Sequence, residues 1–180
     1  MAYKQFRIEK DSLGEVKVPK KALWGAQTQR AVNNFSISGI LMNFPFTDSF
    51  ISTLGIIKDA SARANKTLGL LEAKKQKAIS KAAKEVWQNK HGSQFPIDVF
   101  QTGSGTSTNM NANEVISNYA IQILKGKIGS KSPIHPNDHV NLSQSSNDAF
   151  PTVMHIATNE LTDKKLVPAI KYLIKELKIK

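Results

Sequence analysis

Gln101–Val115 reads QTGSGTSTNMNANEV and carries no charged side chain before Glu114. Small hydroxyls, amides and two glycines run straight into Ala112, Ile116, Tyr119 and Ile123. That spacing spells one face of a helix, which Gly126 and Gly129 stop. A helix start presents unpaired N–H groups and the positive end of the macrodipole. Glycines let backbone approach a ligand, and hydroxyls add donors that rotate to fit. The combination suits an anion, a carboxylate or a phosphate. The alternative is that Thr and Ser only cap the helix while the glycines only turn the chain.

Two more polar segments follow, HPNDHVN at His135–Asn141 and SQSSND at Ser143–Asp148. The second leads into a helix expected to begin near Pro151, a residue suited to a first turn, and Pro168 should kink or interrupt that helix. Upstream, Ile51, Leu54, Ile57, Ala64 and Leu68 predict a helix from Asp48 to Gly69, and Ile79, Ala82, Ala83, Val86 and Trp87 predict another that closes near Gly92. At the start, FRIEKDSLGEVKVP alternates around a DSLG turn, so Phe6 and Ile8 should face Val16 and Val18 in a small hairpin. Between hairpin and helix lies KALWGAQTQRAVNNF, polar-rich with Trp24 and one glycine. The fold class is therefore mainly α, with a small N-terminal β-hairpin.

Composition narrows the function classes. The chain has 180 residues, 40% hydrophobic and 22% charged, enough for one domain with a core. It contains no cysteine, which excludes disulfides, thiolate nucleophiles and Cys-ligated zinc and fits a reducing compartment. MAYKQFRIEK has no apolar leader core, and no apolar run reaches the roughly 20 residues that span a bilayer. A cytoplasmic location is the expectation, with no membrane partner. A formal net charge of +11 invites nucleic acid. The placement of that charge argues otherwise, because residues 101–124 and 135–163 contain no Lys or Arg.

A dinucleotide fingerprint fails at Thr108, where its third glycine belongs, and no GxxxxGK[ST] is present. Metal spacing is absent too: His135 and His139 are four apart, but Pro136 argues against a helix there. His155 reads as an ordinary helix residue and His91 as a helix-end residue favoured by the dipole. Asp138 and Asp148 fall on separate loops, and no nucleophile–base pair stands out.

WGAQTQRAVNNF (24–35), QTGSGTSTNMNANEVISN (101–118), HPNDHVN (135–141) and SQSSNDAFPTVMHIA (143–157) together carry a resemblance. The chain resembles the N-terminal part of class II fumarate hydratases, in the fumarase/aspartase superfamily. GSGT at 103–106 and SSND at 145–148 look like fumarase wording; aspartase-like relatives tend to carry an alanine for that serine and STND for SSND. Aspartate ammonia-lyase is thus the enzyme alternative, and a non-catalytic helical interaction module the alternative of another class.

The resemblance implies an N-terminal domain over residues 1–140, and residues 141–180 as the start of a central helical bundle that assembles a homotetramer. It implies that Ser104, Gly105, Thr106, Ser145, Ser146 and Asn147 bind the carboxylate of a small dicarboxylate, fumarate or malate. His135, Pro136, Asn137 and Asp138 match a second anion site, where some relatives carry an arginine in place of Ser132; Lys131 is adjacent. No cofactor and no metal are implied. The catalytic histidine and serine motifs of the family, GRTH-like and GSS-like, lie beyond residue 180. The chain is thus expected to be a fragment that holds binding residues without the proton-transfer groups. Its last apolar stripe, Leu166, Ile170, Leu173, Ile174 and Leu177, fits a face awaiting a partner.

Overall fold

The computed structural model describes residues 5–42 and 48–179. Residues 1–4 of the MAYKQFRIEK stretch, and Lys180, lie outside them. The order is β1 (Phe6–Asp11), β2 (Gly14–Pro19), α1 (Ala26–Asn34), α2 (Asp48–Thr67), α3 (Ala73–Trp87), α4 (Thr106–Ile123), α5 (Ser146–Leu161) and α6 (Val167–Ile179). The architecture is mainly helical with one N-terminal antiparallel hairpin, as expected.

The core forms where α2, α3 and α4 pack. Ile51, Leu54 and Ala62 meet Ile79, Ala82, Ala83 and Val86, and Ala112, Val115, Ile116 and Ala120 close the cluster. Within the expected stripes, Ala64, Leu68 and Trp87 are instead exposed, because the buried face of α2 turns through Ala62 and that of α3 ends at Val86. Gly55 sets how closely α2 and α3 approach: a Cβ there would come within 2.6 Å of Trp87 N and 2.7 Å of the Ala83 carbonyl oxygen.

α4 is nearly surrounded. Its buried polar side chains satisfy the backbone of neighbouring loops. Asn111 donates to the Gln94 carbonyl at 2.9 Å, Asn118 to the Leu23 carbonyl at 2.8 Å, and Ser117 to the Ile134 carbonyl at 2.8 Å. Much of the hydrogen-bonding capacity of NMNANEVISN therefore serves the fold.

The hairpin forms, but its facing is the reverse of the expected one. Phe6 pairs with Pro19 and Ile8 with Lys17, while Arg7 lies opposite Val18 and Glu9 opposite Val16. Phe6 and Ile8 are exposed; Glu9 and Val18 are buried. A one-residue shift of phase flips every side chain to the other face. Here it is set by Arg7, which donates to the carbonyls of Pro19, Ala22 and Trp24 at 2.6–2.9 Å, and by Glu9, which accepts from the Ala26 N–H at 3.1 Å. These charge-assisted bonds bind the turn that follows β2 more specifically than two apolar side chains would.

The polar segment after β2 becomes a helix, α1. Its N-terminus is held by the buried Glu114 of α4, which accepts from the N–H groups of Gly25, Gln27 and Thr28 at 2.8–3.0 Å and from the Thr28 hydroxyl at 2.6 Å. Burial pushes the Glu114 carboxyl above its ordinary range, and these four donors oppose the rise.

Two proline expectations also change. α5 begins at Ser146, more than a turn before Pro151, because Ser145 caps it: the Asn147 N–H donates to Ser145 Oγ at 3.2 Å. Pro151 consequently sits inside the helix. Pro136 does not prevent a turn; Pro136–Val140 forms a five-residue π-helical turn with the proline at its first position, where no N–H is needed. Pro168 behaves as expected, since a π-turn over Thr162–Leu166 separates α5 from α6 just before it.

Candidate functional site

The GSGT loop and the SSND loop meet. Gly105, in the left-handed region at φ 68°, is the N-cap of α4. A Cβ added to it would lie 2.2–2.4 Å from ring carbons of Phe150, one turn into α5, too close for any real contact. Glycine is thus required twice there, for the backbone angle and for the contact. One turn into α4, Asn109 donates to Ser146 Oγ at 2.8 Å. Two helix N-termini are in this way set side by side, both presenting small hydroxyls.

The first loop is fixed from behind. Asp98 accepts from the N–H groups of Ser38, Gly39 and Phe100 and from the Ser38 hydroxyl, all at 2.7–2.9 Å. Burial works to raise its pKa, but these donors outweigh it and hold the carboxyl at about 2. Gln101 donates to the Asp98 carbonyl at 3.1 Å, and its own Oε1 accepts from the N–H and hydroxyl of Thr108 at 2.9 and 2.7 Å. The N–H groups of Thr106, Ser107 and Ser146 find no acceptor among the described residues. Above them, the hydroxyls of Ser104 and Thr106 lie 2.7 Å apart, and those of Thr102 and Ser107 lie 3.0 Å apart. Ser104, Ser145 and Asn147 are exposed. Open N–H groups, the positive ends of two helices and rotatable hydroxyls make this surface able to receive an anion.

Behind the site lies a cation that sequence reasoning missed. Lys58 of α2 is fully buried, and burial pushes its ammonium down to about 7. Its Nζ donates to Asn141 Oδ1 and to Gln144 Oε1, each at 2.9 Å. Asn141 Oδ1 also accepts from Asn109 Nδ2 at 3.2 Å. The signal was present: Ile51, Leu54, Lys58 and Ala62 are spaced three, four and four, so a lysine occupies a core-facing position of an apolar stripe.

The third segment is separate in character. His135 Nδ1 accepts from the N–H groups of Asn137 and Asp138 at 3.3 and 3.2 Å, so the ring caps the π-turn that it precedes. With Nδ1 accepting, the proton sits on Nε2. Asp138 Oδ2 lies 3.2 Å from His135 Nδ1. Asn137 and Asp138 are exposed, and Pro136 is buried. His139 accepts from the His135 N–H at 2.8 Å and lies 3.2 Å from Lys75 Nζ; burial first, then Lys75, lowers its pKa. Lys131 donates to the Lys10 carbonyl at 2.7 Å, which turns it toward the hairpin. Of the other histidines, His91 lies beyond the end of α3, 3.1 Å from Glu85 Oε2, and His155 is exposed on α5.

Residues 14–180 match a family described as lyase. The chain belongs to the lyase family. This lyase chain is 52% identical over 174 residues to the class II fumarate hydratase of Brucella suis, covering 97% of the chain and 37% of that protein. It is 51% identical over 174 residues to the mitochondrial fumarate hydratase of Schizosaccharomyces pombe, covering 97% of the chain and 33% of that protein. Among solved structures, the class II fumarase of Schistosoma mansoni superposes with a TM-score of 0.90 at 42% identity, over 97% of this chain and 36% of that one. The lyase chain spans little more than a third of the length of such curated relatives.

Proposed function

We propose that this chain is the substrate-carboxylate-binding part of a class II fumarate hydratase, which adds water reversibly to fumarate to give (S)-malate. The observation that carries the reading is the side-by-side placement of the α4 and α5 N-termini, tied by Asn109 and Ser146 and left with open N–H groups. In this reading Ser104, Gly105 and Thr106, together with Ser145, Ser146 and Asn147, hold a carboxylate of the substrate. Hydration by way of a carbanion spreads charge onto that carboxylate. Neutral donors already in place stabilise such charge without reorganising. No residue of the chain is assigned as acid or base. His135, Pro136, Asn137 and Asp138 form a second anion position at the surface in the same reading.

Residues 1–140 are then an N-terminal domain and residues 141–180 the opening of a central bundle. The exposed apolar side chains Leu166, Ile170, Leu173 and Leu177 suit burial in a homotetramer. No helix among the described residues is long and apolar enough to cross a membrane. A cytoplasmic location and no nucleic-acid partner belong to the reading.

The test is an assay of the complete gene product with fumarate and water, and with fumarate and ammonia. Malate formation without aspartate formation is the expected result. Aspartate formation at a comparable rate assigns the chain to an ammonia-lyase, and neither product overturns the enzyme reading. The 180-residue chain alone is expected to form no malate.

A further inference from the structure

We propose that Lys58 is a positioning residue for Ser146. It is the donor at the buried end of a hydrogen-bond chain, Lys58–Asn141–Asn109–Ser146, that leaves the Ser146 proton free to point at a bound carboxylate. The inference rests on the reading of the site as a dicarboxylate site.

Each link has one direction. Lys58 Nζ carries at least two protons, charged or neutral, and both of its partners are amide oxygens, on Asn141 and Gln144. That fixes the two amides. Asn141 Nδ2 is turned to the Gln144 carbonyl at 3.1 Å, and Gln144 Nε2 to the carbonyls of Val140 and Leu142 at 3.0 and 3.2 Å. With its oxygen held toward Lys58, Asn141 offers Asn109 only an acceptor. Asn109 must answer with Nδ2, whose two protons go to Asn141 Oδ1 and Ser146 Oγ. Ser146 Oγ therefore accepts from the protein, and its own proton is left to donate outward.

Asn109 Oδ1 marks the cost of this arrangement. It is buried with no partner among the described residues. Reversing the Asn109 amide would give that oxygen the Ser146 proton, but would set it against the Asn141 oxygen, acceptor to acceptor. Lys58, donating to Asn141 Oδ1 at 2.9 Å, and the Gln144 carbonyl, accepting from Asn141 Nδ2 at 3.1 Å, together hold Asn141 in the orientation that forbids the reversal. Without Lys58 that orientation is held only by the 3.1 Å bond to the Gln144 carbonyl, and Asn141 and Asn109 are freer to turn together. The Ser146 hydroxyl then donates inward, and the site loses a donor.

The experiment is calorimetric titration of the complete gene product with succinate, a four-carbon dicarboxylate that cannot be hydrated. The variants are Lys58→Met, Ser146→Ala and their combination, each with a thermal melt. Lys58→Leu, which likewise has no donor, serves where the methionine variant does not fold. Each single change is expected to weaken succinate about tenfold or more, because a hydrogen bond to a charged group is lost. The combination is expected to bind no more weakly than Ser146→Ala alone, because Lys58 acts through that hydroxyl. Losses that multiply overturn the relay and make Lys58 an independent charge or a packing residue. Unchanged binding in Lys58→Met also overturns it. A wild-type protein that neither binds succinate nor hydrates fumarate overturns the dicarboxylate reading, and this inference with it.

Discussion

Asn109 and Ser146 are joined side chain to side chain, Nδ2 to Oγ at 2.8 Å, across 37 positions of sequence. This bond and the contact of Gly105 with Phe150 are what make two separate polar loops one surface.

Gly105→Ala tests the seam. The new Cβ meets the Phe150 ring and the backbone stays at φ 68°. The left-handed angle costs about 1–2 kcal/mol and forced repacking about 1–3 kcal/mol. A loss of stability of at least about 2 kcal/mol is expected in urea melts, part of it recovered when Phe150→Leu is added. A loss near zero would contradict the contact.

Thr106→Ala and Asn147→Ala test the anion role. Thr106 is the first residue of α4, not its cap, and the cap of α5 is Ser145. Capping alone is worth about 0.5–2 kcal/mol. A donor to developing charge is worth about 2.7–4 kcal/mol, on the order of a hundredfold to a thousandfold in rate. In the complete gene product, turnover is expected to fall by that larger factor while melting temperatures move little. Variants that melt early but keep their rate per folded enzyme would make both residues structural.

Glu114→Gln tests the anchor of α1. Four donors converge on the two carboxylate oxygens, and an amide turned either way brings a donor against a donor. Each buried group left unsatisfied costs about 1–3 kcal/mol. A destabilisation of at least about 2 kcal/mol is expected by chemical denaturation, and one below about 1 kcal/mol would mean that the α1 start finds other partners.

The helices and the site loops were legible because periodicity and motif wording are local. The core-facing stripes of α2, α3 and α4 could be read apart from Ala64, Leu68 and Trp87, which are exposed, and the six positions proposed to hold a carboxylate were named from segments that resemble fumarases. What escaped was long-range. The facing of the hairpin depends on Arg7 reaching carbonyls as far along as Trp24, and α1 depends on a carboxylate 89 positions beyond Gly25. Lys58 looked like one more surface lysine in a Lys-rich chain, because its amide partners lie 83 and 86 residues away.

The pH dependence of stability follows from that buried lysine. Its pKa of about 7 in the folded chain lies below the roughly 10.4 of an unfolded lysine. Below pH 7 both states hold the proton, and the folded state bears the full cost of a buried charge. Between about pH 7 and 10.4 only the unfolded chain holds it, so this group makes stability rise with pH, by up to about 1.4 kcal/mol per unit. Above that window neither state holds the proton and the effect ends. Urea melts of the complete gene product at pH 7.5 and 9.5, at one protein concentration, are the measurement. Going up in pH, the wild type is expected to gain about 2–3 kcal/mol relative to Lys58→Met, which has no proton to lose. Parallel pH profiles for the two proteins would mean that Lys58 keeps its ordinary pKa, and hence that water or an anion reaches its Nζ in solution.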